Sequence, residues 1–378
     1  MRQRWDIFCT VIDNFGDAGV CWRLARQLAT EYDFEVRLWI DDLRALHRLW
    51  PEISLNASVQ NVAGVIVCEW RAPFVDADMA DVVIEAFACN LPEHYLVAMA
   101  QRPQSPLWIN LEYLSAEPWV ADCHGLASPQ TGSAIPKYFF FPGFTENTGG
   151  LLRECDLVAR RLAFQSEPAA RTQFFTDLGV QVLEHSTVIS LFAYPSAPLS
   201  AWFEALVASP APILCLVPEG QLLKQVAEFF GGPLLAVGES ARRGALTVQA
   251  LPFLRQDIYD QLLWSCDINC VRGEDSFVRA QWAARPLLWQ IYPQQDDAHW
   301  IKLAAFFELY KELLPSDAAA ALAALWQAWN GRGDMRAAWQ NLQPLLSVLR
   351  RGADAWEAQL RGSTNLAAAL AQFCANHV

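Results

Sequence analysis

Short apolar runs alternate with helix-length amphipathic segments twice along this chain, and that alternation restricts the fold more than any other feature. In the first half, residues 5–12, 35–40, 65–70, 81–87 and 107–111 read as strands, with helices at 19–30, 43–49 and 93–100 between them. Such alternation predicts an α/β fold, a parallel sheet covered on both faces. The second half repeats the pattern, with strands at 187–193, 212–217, 245–250, 267–271 and 286–291. Its helices are expected at 201–208, 221–229, 256–265 and 276–283. After Asp297 the chain reads as helical, with Ala-rich segments at 317–329, 335–349 and 365–376. Two doubly wound, Rossmann-like domains follow: residues 1–150 and residues 151–360, with 361–378 as a C-terminal helix that has the first domain as one place to pack. Residues 136–150, rich in Phe, Pro and Gly, read as the exit from the first domain, and 151–163 as a bridging helix.

The bulk numbers remove several function classes. With 53% hydrophobic residues, 16 Trp and 21 Phe, the chain can bury a large core. It has no apolar run long enough for a membrane span and no signal-peptide layout, so a cytoplasmic location is expected. The 10 Cys are scattered without a Cys-x-x-Cys pair, as fits buried thiols in a reducing compartment. A net charge of −13 argues against nucleic acid or an anionic membrane as partner. A cationic acceptor is electrostatically compatible.

Candidate chemistry sits where strands give way to helices. Asp13-Asn14-Phe15-Gly16-Asp17-Ala18-Gly19 lies on the first strand-to-helix turn. In an open α/β sheet that turn is at the carboxyl edge, where ligands bind. Asn14, Phe15, Gly16 and Gly19 shape the turn; Asp13 and Asp17 supply charge. The turn lacks both Gly-rich phosphate signatures. Its two carboxylates would repel phosphate and suit a cation, a sugar hydroxyl or a nucleophile that must lose a proton. Arg272-Gly273-Glu274-Asp275-Ser276 has the same grammar in the second half. There Asp275 or Ser276 can cap the helix, and the helix N-terminus and Arg272 suit a diphosphate. Glu274 is then available for a sugar hydroxyl or a cation. Phe192, Tyr194, Phe253 and Tyr292 stand near strand ends, where rings could sandwich a nucleobase and Gln256 could read its edge.

Other signals carry less. Asp76-Ala77-Asp78 is a short, common D-x-D and reads as a solvated loop. The six His show no metal-ligand spacing, so no metal site is expected; His124 and His299 are the two worth inspecting. Residues 294–297 read as a helix start.

Three strings go further than single motifs: D-N-F-G-D-A-G-V-C-W-R-L-A-R from Asp13 to Arg26, F-P-G-F from Phe141 to Phe144, and R-G-E-D-S-F-V-R-A-Q-W-A from Arg272 to Ala283. Through them the chain resembles, over essentially its whole length, the bacterial protein-arginine rhamnosyltransferases that modify translation elongation factor P. The resemblance implies a GT-B glycosyltransferase, with a catalytic cleft between its two domains. The N-terminal domain would bind the acceptor and the C-terminal domain the nucleotide-sugar. The donor would be dTDP-β-L-rhamnose and the acceptor one arginine of elongation factor P. Transfer would invert the anomeric carbon and need neither metal nor cofactor. The modified factor would be activated to rescue ribosomes stalled at polyproline. By the same resemblance Asp13, Asp17 and Glu274 are the essential carboxylates. Phe192, Tyr194, Phe253, Gln256, Arg272, Asp275, Ser276 and Tyr292 fall on or near the donor pocket.

The chemistry asks for such groups. A guanidinium is protonated at neutral pH, with a pKa above about 12, and its lone pairs are delocalised. Carboxylates can fix its charge on some nitrogens, leave another electron-rich, and accept the proton released as the C–N bond forms. Asp17 is the preferred base, kept ionised by the helix dipole, with Asp13 positioning it or the guanidinium. The residues alone also admit a nucleotide-sugar epimerase of similar architecture; granted the acceptor the resemblance implies, a protein that clamps elongation factor P without chemistry is the non-enzymatic rival.

Overall fold

The computed structural model describes residues 2–13, 15–70, 79–130 and 135–377. The chain divides into two compact units: Met1–Cys155 with Leu360–Val378, and Asp156–Gln359.

Unit 1 is built on eight strands among the described residues: β1 Arg4–Cys9, β2 Glu35–Ile40, β3 Val59–Val62, β4 Val65–Glu69, β5 Val82–Ala86, β6 Leu107–Leu111, β7 Ala127–Ser128 and β8 Lys137–Phe140. They lie in the order β3-β4-β2-β1-β5-β6-β8-β7, parallel except for β3 and β7 at the two edges. Counting only the parallel strands, the sequence across the sheet is third, second, first, fourth, fifth, sixth. That is the doubly wound order whose direction reverses between β1 and β5. The inner strands are apolar because helices cover both faces. The exceptions are paired. Asp6 of β1 is fully buried opposite Arg37 in the β1–β2 register, which grips it with two bonds of 2.6 Å. The Tyr95 hydroxyl donates to the same carboxylate at 2.5 Å, from the helix Glu93–Gln101.

The segment expected as the domain exit instead contributes β8, the sixth parallel strand. Its sequence, Lys137-Tyr-Phe-Phe, is a strand run; the Pro142-Gly143 that follows ends it. The expected helix at 151–163 begins only at Leu157 and runs to Ser166. The C-terminal helix Leu366–Ala375 belongs to unit 1. Leu366 donates its N–H to Leu151, and the Arg153 guanidinium donates to the carbonyls of Arg361 and Ser363.

Unit 2 has six strands: β9 Thr187–Leu191, β10 Ile213–Pro218, β11 Ser240–Arg243, β12 Leu246–Leu251, β13 Ile268–Arg272 and β14 Leu287–Gln290. They lie in the order β11-β12-β10-β9-β13-β14, with only the edge strand β11 antiparallel. The winding here reverses between β9 and β13. The tryptophans concentrate under the C-terminal helices of this unit. Trp202 meets Trp329 and Trp339 edge-on at 5.7 and 5.2 Å, and Trp326 stacks on Phe306. Several buried indole N–H groups have named acceptors: Trp326 on the Leu287 carbonyl, Trp339 on Ser209 and Trp356 on Gln281. Among the described residues no helix is long and apolar enough to cross a membrane, and all ten cysteines are free thiols, most of them buried.

Candidate active site

The carboxyl edge of unit 1 at the β1/β5 reversal carries the acidic pair. β1 ends at Cys9, earlier than expected, and the helix Gly16–Glu31 starts earlier too. Gly16 and Gly19 are therefore helical rather than part of the turn, and Phe15 stands at the N-cap position without a side-chain cap. Asn14 lies outside the described residues. Gly16 donates to the Asp13 carbonyl at 2.7 Å, closing the turn. A Cβ on Gly16 would come within 3.0 Å of Asp13 Oδ2, so glycine there leaves room for the carboxylate.

Asp17 falls on the first turn of the helix and is 2% exposed. The chain folds back over it: the N–H groups of Ile12 and Asp13 both donate to Oδ2 at 2.8 Å. The Tyr113 hydroxyl donates to Oδ1 at 3.3 Å. Burial pushes the carboxyl above its ordinary range; the two backbone N–H donors pull it back, the Asp13 charge adds to the rise, and Tyr113 opposes it. Burial thus acts on Asp17 in the sense opposite to the helix dipole, which favours the anion. The result is a carboxylate better able to accept a proton near neutral pH. Asp13 is half-buried beside it.

The carboxyl edge of unit 2 at the β9/β13 reversal carries the second cluster. Phe192 and Tyr194 follow β9, and the Arg272 guanidinium at the end of β13 lies 4.5 Å from the centroid of each ring. Phe192 and Tyr194, two of the rings that could sandwich a nucleobase, thus both face the Arg272 guanidinium. Tyr194 is buried and donates its N–H to Gln290 at 2.6 Å, and its ring meets Tyr292 edge-on. Tyr292 is 47% exposed. Gly273 turns the chain with φ 56°, and the helix Asp275–Trp282 follows.

Neither Asp275 nor Ser276 caps that helix as expected. Glu274 occupies the N-cap position, again without a side-chain cap bond. Ser276 instead turns back on β13, donating to the Arg272 carbonyl at 2.5 Å and accepting from the Arg272 N–H at 3.1 Å. Asp275 accepts from Gln256 Nε2 at 3.2 Å, which joins the starts of the helices Gln256–Ser265 and Asp275–Trp282. Phe253 is half-buried on the loop before the first of these.

Sequence reasoning passed over Tyr113 and the loop after β5. Tyr113 stands two residues beyond β6, the same strand-end placement that singled out Tyr194 and Tyr292. The two histidines serve the backbone: Phe141 donates its N–H to His124 Nδ1, and Gln294 donates to His299 Nδ1. Burial lowers the His124 pKa. Asp76 and Asp78 lie outside the described residues. Among the described residues no group of three or more His, Cys, Asp or Glu could hold a metal ion.

The model of the family described as Elongation-Factor P (EF-P) rhamnosyltransferase EarP matches residues 5–375. A protein-arginine rhamnosyltransferase of Pseudomonas putida is 51% identical over 376 residues, covering 100% of both chains. One from Neisseria meningitidis serogroup B is 37% identical over 98% of this chain and 97% of its own. A solved structure concerning EarP-mediated arginine glycosylation of translation elongation factor EF-P is 39% identical, covers 100% of both chains and superposes with a TM-score of 0.72. The spinosyn rhamnosyltransferase SpnG, complexed with thymidine diphosphate, shares 13% identity over 98% of this chain and 99% of that one, with a TM-score of 0.51. Its likeness is one of fold, and the fold is that of a GT-B glycosyltransferase. With a family match over nearly its whole length and relatives at these identities, the chain belongs to the EarP family of EF-P rhamnosyltransferases.

Proposed function

We propose that this chain transfers L-rhamnose from dTDP-β-L-rhamnose to one arginine side chain of EF-P, with inversion and without a metal, and so activates the factor for ribosomes stalled at polyproline. The relatives named protein-arginine rhamnosyltransferase support the reaction class. Unit 1 serves the acceptor and unit 2 the donor nucleotide. The observation that carries the reading is the Asp17 carboxylate: buried, its pKa raised, with Oδ2 occupied by two backbone donors and Oδ1, among the described residues, accepting from the Tyr113 hydroxyl.

In the proposed step, Asp13, the more exposed acid, holds the guanidinium and localises its charge. A guanidinium nitrogen attacks the anomeric carbon from the face opposite the diphosphate. The C–N bond forms, the anomeric C–O bond breaks, and its electron pair leaves with dTDP. Asp17 Oδ1 takes the proton from the attacking nitrogen, giving the α-rhamnosyl arginine. Arg272, fixed over two rings, and the N-terminus of the helix Asp275–Trp282 offset charge building on the departing diphosphate. Glu274 holds the sugar or the guanidinium. Phe253, Gln256 and Tyr292 contact the nucleoside.

The test is intact mass of folded EF-P after incubation with the protein, dTDP-β-L-rhamnose and a chelator. The expected result is a gain of one deoxyhexose, absent when the acceptor arginine is changed to lysine. Asp17→Asn is expected to keep donor binding and lose about 10²–10⁴-fold in kcat. Binding of both partners with no mass change overturns the transferase reading and favours a clamp.

A further inference from the structure

The loop leaving β5 holds three non-glycine residues at positive φ: Phe87, Ala88 and Asn90, at 57°, 54° and 56°. Left-handed backbone is unfavourable for L side chains and persists only where the surroundings over-determine it. Here they do. Phe87 donates its N–H to the Leu111 carbonyl at 2.7 Å, Ala88 to Asn110 Oδ1 at 3.1 Å, and Asn90 to the buried Glu85 at 2.8 Å. The Cys89 thiol donates to the Phe8 carbonyl at 3.3 Å. The side chain this loop presents is Phe87, whose ring stacks on Tyr113 with centroids 4.4 Å apart and planes 14° from parallel. Tyr113 in turn donates to Asp17 Oδ1.

We propose that Tyr113 is a positioning residue for the base: its hydroxyl aims and tunes Asp17 Oδ1, and the strained β5 loop holds it in place through Phe87. The inference rests on the reading of Asp17 as base. Because Oδ2 is committed to the Ile12 and Asp13 N–H groups, Oδ1 is the oxygen that must exchange the proton. A phenol donating to it stabilises the carboxylate and fixes its rotation about the Cβ–Cγ bond. Among the described residues, the other titratable groups that act on this cluster are Asp13 on Asp17's own turn, Cys9 at the end of β1 with Cys21, and Asp41 beside Cys9. The Cys9 thiol is pushed well up by its hydrogen bond with Cys21 and by burial, so it stays neutral through the working range. Asp13 is common to every variant compared below.

Tyr113→Phe keeps the ring and the stack and removes the hydroxyl. Its kcat is expected to fall roughly tenfold, with KM for donor and acceptor within about twofold of the parent. The acid limb of the kcat profile moves to higher pH, since a donor that lowers the carboxyl pKa has been removed. The Asp17 carboxyl titration, followed by ¹³C NMR against the Asp17→Asn spectrum, shifts up by the same interval. In an Asp17→Asn background the change at Tyr113 costs nothing further. An Asp17 titration that does not move in Tyr113→Phe overturns the inference, whatever the activity. Normal turnover by Asp17→Asn overturns the base reading instead, so the two failures are told apart.

Discussion

The Asp17 carboxylate is pushed towards its protonated form by burial and pulled towards its ionised form by two backbone N–H groups and a phenol. The balance leaves its folded-state pKa raised, which sets the sign of a stability effect. A carboxyl whose pKa is higher in the folded than in the unfolded chain stabilises the fold below the unfolded value. That contribution is lost as pH rises through the folded value. Asp17→Asn mimics the neutral form and leaves an amide oxygen for the two N–H donors. Its Tm is therefore expected to match the parent near pH 4 and to exceed it increasingly towards pH 7, as scanning calorimetry across that interval would read. At this scale the sequence marks the acids well, because Asp13 and Asp17 stand four residues apart on a strand-to-helix junction. It hides what tunes them: the Tyr113 hydroxyl is 96 residues away in the chain, and a backbone donor leaves no trace in residue type. Arg272 shows the same limit. Phe192 and Tyr194 were visible as paired rings, but their grip on a cation from β13 depends on strand order across the sheet.

The helices Gln256–Ser265 and Asp275–Trp282 are joined by Asp260 and Arg279, a pair 3% and 1% exposed with bonds of 3.0 and 2.6 Å. Their starts carry Gln256, Asp275 and Ser276, so this bond keeps the candidate donor residues in register. Arg279→Leu leaves the Asp260 carboxylate buried without its guanidinium and is expected to cost about 3–5 kcal/mol in urea denaturation. Adding Asp260→Leu is expected to restore much of that, since the pair itself is of small net benefit. The inner parallel strands were legible because they are mostly apolar runs, with single polar residues such as Arg37 and Asn110, and β2 and β6 fall on their expected bounds. The edge strands β3, β7 and β11 were not: they are short and mostly polar, and pairing with one neighbour asks little of their sequence. The helix Pro168–Asp177 was missed despite a readable start, Glu167 capping and Pro168 in the first turn.

Unit 1 is closed by chain that arrives last. Gly150 sits at φ 69°, and a Cβ there would lie 2.0 Å from the Thr364 carbonyl oxygen. Both the left-handed backbone and the close approach exclude a side chain. Gly150→Ala is expected to cost about 2 kcal/mol or more and to lower the calorimetric transition of unit 1. The sequence puts a division near residue 150, at the change from Phe-Pro-Gly-rich sequence to a helical pattern; the compact units divide between Cys155 and Asp156, and the helix begins at Leu157. The return was readable only as an option, since an Ala-rich helix does not say which surface it covers.

The return of Leu360–Val378 to unit 1 also sets an order of events at the ribosome. Unit 2 is contiguous in sequence and can complete itself as it emerges; unit 1 waits, with the surface around Gly150 and Leu151 uncovered, until all of unit 2 has been made. Domains otherwise tend to fold first from the N-terminus during synthesis. A chain interrupted anywhere before residue 360 therefore carries the acidic turn on a body that lacks its last segment.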